Sequence, residues 1–389
     1  MMVWSLLAAL AFAAPTTSVP FERPLAPPGR TFDGSFDSPP AMHWVVNLPG
    51  QGAQTASHNE RARPVLVGAD IFVGSASGDA LYRLARRDGR LLQSYAADAS
   101  VETEPLLVDD RVVFSDTAGS TWCYKLDGSF VWKHQSGAPI LVRPTLAHGQ
   151  VVVTNVNDLA FALDVITGEL SWRYQEPRLV TRESELTLFA APPAAIVGDE
   201  LVMGFSDGTI VGLVARTGER RWQRTVGEGR YPDIVAGVVA AGDVVLASGY
   251  FKPLVAIDAT THDVRWRAEF GAANQPLIGD GVMYHPGTDG ELRAIDTRTG
   301  EVVWTWASGT EGALTTPVLT DAGLIVASSE GDVYLVNPAD GVERWRFHER
   351  FSLDGVTSAP AVAGRQMVFS SNAGRLYSMV VPRSVARAE

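Results

Sequence analysis

The chain is poor in the groups that most often carry covalent or metal chemistry. It has one cysteine, Cys123, among 389 residues, which excludes an internal disulfide and any cysteine-based zinc cluster. Its seven histidines, at positions 43, 58, 134, 148, 262, 285 and 348, never stand as H-x-H or H-x-x-x-H, so no local metal pair is visible. Acidic residues offer no substitute. Asp109-Asp110 falls at a turn and Glu102 and Glu104 take alternate strand positions, while neither the EF-hand spacing nor a G-x-x-x-x-G-K-[ST] phosphate loop occurs. Charged residues make up only 20% of the chain, and positive charge is the scarcer sign, with 32 Lys+Arg against 44 Asp+Glu and a net charge of -12. That balance excludes an electrostatic nucleic-acid binder, which needs cations to displace counterions, and disfavours anionic lipid surfaces. Beyond the N-terminus no stretch of 18 apolar residues is free of charge, so no membrane span is expected. Sustained helical periodicity is missing as well.

What is present begins with a targeting pattern. Val3 to Ala14 is an apolar run of 12 residues followed by small residues that fit an A-x-A cleavage site ending at Ala11 or Ala13. It is too short to span a bilayer and reads as a secretory signal over residues 1–14. Residues 15–40 hold seven prolines in 26 positions, the composition of an extended linker. The folded body is expected over 41–382, with a short tail at 383–389.

That body is a repeat, the feature to be sought first in any chain. One unit reads as Pro, an apolar strand, a Gly/Asp turn, a second apolar strand ending near Ser, an Asp-Gly turn, a Leu-Tyr-Ala type strand, then Thr-Gly-Glu-x-x-Trp. Unit ends fall at Trp132, Trp172, Trp222, Trp266, Trp304 and Trp345, spaced 40, 50, 44, 38 and 41 residues apart, with Gln93 in the tryptophan place upstream and Trp44 as an earlier member. Starts fall at Pro64, Pro105, Pro144, Ala194, Val238, Pro276, Pro317 and Pro360. The two series are out of phase: Trp44 precedes the first start, and the last start has no tryptophan end. A strand around His43 to Val46 is therefore expected to complete the unit begun at Pro360, closing a ring and removing the open sheet edges of an unclosed array.

Within a unit the turns are short and recurrent. In the sixth, Gly281–Tyr284, Glu291–Ile295 and Val302–Trp306 read as strands separated by Asp289-Gly290 and Thr299-Gly300. Asp-Gly between apolar runs predicts a two-residue hairpin turn with positive φ at both residues; Asp207-Gly208 and Glu330-Gly331 repeat it, with Ala373-Gly374 as a variant. Four short strands per unit of about 40 residues predict an all-β fold, an eight-bladed β-propeller of four-stranded antiparallel blades. Gly204-Phe205-Ser206-Asp207-Gly208 matches the G-x-S-x-G nucleophile pattern. That motif requires a following helix, whereas Thr209 to Val214 reads as a strand, so Ser206 is an ordinary pre-turn residue and no catalytic residue is assigned.

The best-kept segment, A-x-D-x-x-x-G-x-x-x-W, stands as Ala162-Asp164-Gly168-Trp172 and Ala294-Asp296-Gly300-Trp304, and as Ala256-Asp258-Trp266 with His262 in the glycine place. It resembles the tryptophan-docking motif of the quinoprotein, or pyrroloquinoline-quinone-like, repeat family, over Trp44 to about Val381. The physical reason for the pattern is packing: each tryptophan buries a large surface against the next blade, the Asp caps the turn and the Gly supplies its left-handed residue. Enzymes of that family hold quinone with calcium and commonly a disulfide between adjacent cysteines. One cysteine and a length filled by eight blades point instead to a non-enzymatic propeller without a cofactor. The alternatives are a quinone-dependent dehydrogenase relative and a ligand- or polysaccharide-associated propeller.

Two connections exceed the repeat length, and long loops on a rigid scaffold are where binding concentrates. One contains Leu186, Leu188 and Phe189, the other Arg230, Tyr231 and Asp233. Together with the leader they resemble the propeller subunit of the outer-membrane β-barrel assembly machinery. In that family a Leu-x-Leu-Arg loop and an Arg-x-x-Asp-x-Asp loop engage the periplasmic domains of the barrel subunit. Here Leu186-Thr187-Leu188, Arg230 and Asp233 match, while Phe189 stands for Arg and Val235 for the second Asp. Family members are usually lipoproteins; this leader ends in Ala14-Pro15 without a cysteine. The resemblance thus implies an exported, periplasmic, non-enzymatic scaffold, a monomer within a complex, whose protein partner is the barrel subunit and which meets the outer membrane through that partner.

Overall fold

The computed structural model describes residues 40–49, 60–176, 193–227, 232–251, 253–348 and 355–380. These form thirty-two strands in eight four-stranded sheets, each with its strands in consecutive antiparallel order. Numbering blades from Val65, blade 3 shows the pattern: Thr145–Ala147, Gln150–Thr154, Leu159–Asp164 and Leu170–Gln175. Its second and third strands are buried on both faces, and its outer strand alternates between buried and exposed positions. Apolar runs of this kind fit strands sandwiched between neighbouring sheets. The core accordingly lies between blades: Val152, Ala160, Ala162 and Trp172 pack on Leu201, Met203, Val211 and Leu213 of the next sheet.

Blade 8 takes strands from both ends of the chain. Ala41–Asn47 pairs antiparallel with Arg375–Val380, with Ala41 opposite Val380 and Asn47 opposite Arg375. The out-of-phase repeat thus closes the ring as expected, and no sheet remains to be completed at the junction.

The tryptophans that end the repeat units reach across to the next blade. Trp132 donates to Val165 O (3.2 Å), Trp172 to Ala215 O (3.1 Å), Trp266 to Thr297 O (3.0 Å), Trp304 to Pro338 O (3.0 Å) and Trp44 to Arg86 O (3.2 Å). Beneath each indole lies the left-handed glycine of the neighbour's outer hairpin. A Cβ at Gly218 (φ 68°) would stand 2.5 Å from the Trp172 ring, and one at Gly168 (φ 74°) 2.5 Å from Trp132. Blade 5 carries His262 there at φ 61°, and its ring stacks on Trp222 at 4.4 Å and 17°. Trp222 donates instead to Glu200 Oε2 (2.9 Å). Asp164, Asp258 and Asp296 cap these turns, each accepting two backbone N–H groups, such as those of Thr167 (2.8 Å) and Ile166 (2.9 Å) at Asp164. Those donors hold the Asp164 carboxyl below the usual carboxylate range.

The turns between second and third strands depart from the expected two-residue type. Gly208 has φ 84° and Gly290 φ 77°, but Asp207 and Asp289 are not left-handed. Phe205 N–H bonds Thr209 O (2.9 Å) and Gly208 N–H bonds Phe205 O (3.1 Å), so the loop is longer, with one left-handed residue at its end. The Asp side chain explains why: Asp207 Oδ1 accepts the Thr209 N–H at 2.9 Å, which stabilises an Asx-type turn.

Trp172→Ala removes a nearly buried indole and its hydrogen bond, leaving a cavity over Gly218. The expected loss is about 3–5 kcal/mol of unfolding free energy, seen as a lower urea midpoint. A loss below about 1 kcal/mol would contradict inter-blade docking.

Candidate protein-docking site

Antiparallel order fixes which loops share an end of the ring. Hairpins joining strands one to two and three to four emerge at one end. Hairpins joining strands two to three, and every connection from one blade to the next, emerge at the other. This second end carries the two longest connections, from Asn47 to Val65 between blades 8 and 1 and from Gln175 to Ala195 between blades 3 and 4.

Leu186, Leu188 and Phe189, with Arg230 and Tyr231, lie outside the described residues; Asp233 is described. The segments that hold the two loops are well defined. At the end of blade 3, Tyr174 Oη donates to Glu176 Oε2 at 2.5 Å, and Glu176 N–H reaches Asp158 O at 3.3 Å. Burial, with Asp207 and Asp158 nearby, raises the Glu176 carboxyl against the opposing pull of the Tyr174 hydrogen bond. Ser206, the G-x-S-x-G serine, donates to Asp158 Oδ2 at 2.5 Å, and the chain after it is the strand Thr209–Val214. It is a tie between two blade tips.

The second loop rises from an inner strand unlike the others. Seven blades have inner strands of 3 residues; in blade 5 the strand is Ile234–Ala241, 8 residues, with a register shift between Ile234 and Val238 and Gly237 at φ 102°. Ile234 is fully buried, its N–H donates to Phe205 O (3.2 Å), and it pairs with Gly249. Gly204 makes room for it, since a Cβ there would sit 2.4 Å from the Ile234 methyl. Asp233, 2% exposed, is therefore set at the base of the loop, where it meets blade 4, rather than on its crest.

Charge near the prolines that start blades 1 to 3 is arranged as one carboxylate between two guanidiniums: Glu104 lies 3.9 Å from Arg63 and 3.7 Å from Arg143. Among the described residues no group of three or more His, Cys, Asp or Glu could hold a metal ion. Burial pushes the Cys123 thiol up to about 12 and the His285 imidazole down to about 4.

A feature the sequence reading missed is a clasp between the first and last blades. The Glu60 carboxylate accepts from Ser75 Oγ (3.2 Å) and Ala76 N–H (3.0 Å) of blade 1. Its own N–H donates to Asn372 Oδ1 (3.0 Å), and Thr357 Oγ1 donates to its carbonyl (3.1 Å), both from blade 8. No motif marks it, because the partners lie about 300 residues apart in sequence.

An eight-bladed ring whose blades dock through outer-strand tryptophans defines a propeller of pyrroloquinoline-quinone-like repeats. The family model described as outer membrane protein assembly factor BamB matches residues 41–142, 109–274 and 232–388, and the chain belongs to this family. It is 26% identical over 363 residues to the BamB of Yersinia pestis, covering 87% of this chain and 88% of that one. With the BamB of Burkholderia pseudomallei it shares 23% over 380 residues, 94% and 97% of the two chains. Among solved structures, BamB from Moraxella catarrhalis superposes with a TM-score of 0.73 at 18% identity, covering 88% of this chain and 99% of that one. Quinohemoprotein alcohol dehydrogenase from Comamonas testosteroni superposes at 0.67 and 13% identity, over 90% and 78%; both show the shared fold.

Burial is the main cause of the rise of the Glu60 carboxyl from 4.5 to about 7. A raised folded-state value means that the stability this group contributes is full below pH 4.5 and lost as pH rises through about 7. Glu60→Gln keeps an acceptor and carries no charge. It should stabilise the protein by up to about 3 kcal/mol at pH 8 and by nothing at pH 4 in urea titrations; equal effects at both pH values would contradict the assignment.

Proposed function

We propose that the chain is a non-enzymatic scaffold of outer-membrane protein assembly, exported to the periplasm, that docks on the periplasmic domains of the barrel subunit through the loop-bearing end of blades 3 to 5. The observation that carries this reading is the coincidence of family membership across the whole ring with the long connection between Gln175 and Ala195 and the enlarged inner strand Ile234–Ala241 on neighbouring blades. Leu186, Leu188 and Phe189 supply an apolar contact, and Arg230 and Tyr231 a second, which buried Asp233 and Ile234 anchor to the blades. Rigid blades lower the entropic cost of presenting both loops at once. Residues 1–14 act as the export signal and 15–40 as the linker, and the protein works as one copy within the complex.

The test uses purified protein and the purified periplasmic segment of the barrel subunit from the same organism. Leu186→Ala with Leu188→Ala should weaken binding at least tenfold, about 1.4 kcal/mol, with the melting temperature unchanged. Unaltered affinity would refute the assigned loop. Pyrroloquinoline quinone with calcium is expected to leave the melting temperature where it was; a rise that grows with quinone concentration would favour the dehydrogenase reading.

A further inference from the structure

The hairpin between second and third strands follows one pattern in six of the eight blades, blades 1 and 5 being the others. Its last turn residue is left-handed in blades 2, 3, 4, 6, 7 and 8: Gly119, Asp158, Gly208, Gly290, Gly331 and Gly374. In blade 5 Ser248 pairs with Leu254 as Gly204 pairs with Ile210 in blade 4, so in the turn Gly249-Tyr250-Phe251-Lys252-Pro253 Lys252 takes the place of the glycine and Pro253 that of Thr209. Phe251 stands where blades 2, 3, 4, 6, 7 and 8 carry Ala118, Asn157, Asp207, Asp289, Glu330 and Ala373. Phe251 is 54% exposed, and no other blade tip at this end shows an exposed large apolar side chain among the described residues.

The tip is held firmly. The Phe251 ring meets Tyr250 edge-on, with centroids 4.8 Å apart at 78°. Ala272 N–H donates to Gly249 O (3.0 Å) and Thr288 Oγ1 to Tyr250 O (3.4 Å). Gly271 lies so close beneath that a Cβ there would be 2.0 Å from Tyr250 O and 2.4 Å from Phe251 O. The location follows from pairing: Ile234 opposes Gly249, so the tip begins one residue beyond the pair that ends the enlarged inner strand. Pro232 in turn packs over the blade 4 tip, where a Cβ at Gly208 would lie 2.9 Å from it.

From this geometry we infer that Phe251 is the central apolar anchor of the docking face, inserting into an apolar patch of a protein partner whose rim carries cationic side chains. The inference rests on the proposed docking end and adds a residue to it. A repeat protein places its binding residues where one unit departs from the rest, and interface anchors are rigid aromatics surrounded by weaker contacts. The flanking tips set the rim charge. Asp207 lies on blade 4, and on blade 6 Asp289 and Glu291 share the cation Arg293, leaving a surplus of carboxylate on both sides. Lipid is a poorer occupant, because a chain of net charge -12 is repelled by anionic headgroups.

The test places a photo-crosslinking phenylalanine analogue at position 251 of the full chain in intact cells, with the same analogue at Phe130 as the control, since Phe130 is equally exposed on an outer strand. One discrete protein adduct at 251 and none at 130, identified by mass spectrometry as the barrel subunit, is the expected result. A single adduct to a different protein would uphold the anchor and overturn the proposed partner. No adduct, a lipid adduct, or an adduct between two copies of the chain would overturn the anchor. With the purified barrel segment, Phe251→Ser should weaken binding at least tenfold and Phe251→Leu less than threefold, both at unchanged melting temperature; Phe251→Ser within twofold of wild type would also overturn it.

Discussion

The structure depends on one contact repeated around the ring: an outer-strand side chain of one blade lying flat on the left-handed turn residue of the next. Trp44 covers Gly89, Gln93 meets Gly128, Trp132 covers Gly168, Trp172 Gly218, Trp266 Gly300 and Trp304 Gly341, with His262 stacked under Trp222. Each contact sets the spacing between two sheets, so an error at one joint would be carried to every other. Glycine is required because a side chain would occupy the place of the indole. His262 is the informative exception, since its ring supplies a stacking face in place of the missing gap.

The joint between blades 7 and 8 cannot use this device. Blade 8 takes its outer strand from the N-terminal end of the chain, so it has no hairpin to receive Trp345. There Trp345 is half-buried, packs beside Phe347 and lies against the Met367, Phe369 and Tyr377 cluster. The closure is finished one joint further on, by the Ala41–Asn47 strand and by the Glu60 clasp between blades 8 and 1. A ring so closed presents its loops from a rigid frame, as the proposed docking role requires.

The ring was legible because its physics is periodic. Proline starts, left-handed glycines and tryptophan ends recur at about 40 residues, and the phase offset of Trp44 against Pro64 foretold closure. Turn type was not legible, since Asp-Gly suits two hairpin geometries and the choice between them lies in a hydrogen bond from Thr209 to Asp207. Glu60 was invisible for a different reason, because it joins segments about 300 residues apart. The Tyr250-Phe251-Lys252-Pro253 tip could have been found by the same alignment of units, as a turn lacking its glycine.

The central claim is that binding is confined to one sector of one end. Hydrogen exchange of the full chain, measured with and without the purified periplasmic segment of the barrel subunit, tests it most directly. The account predicts new protection at the blade-to-blade connections and tips of blades 3 to 5, with the outer strands and the opposite end unchanged. Protection spread around the ring, or centred on the opposite end, would contradict it.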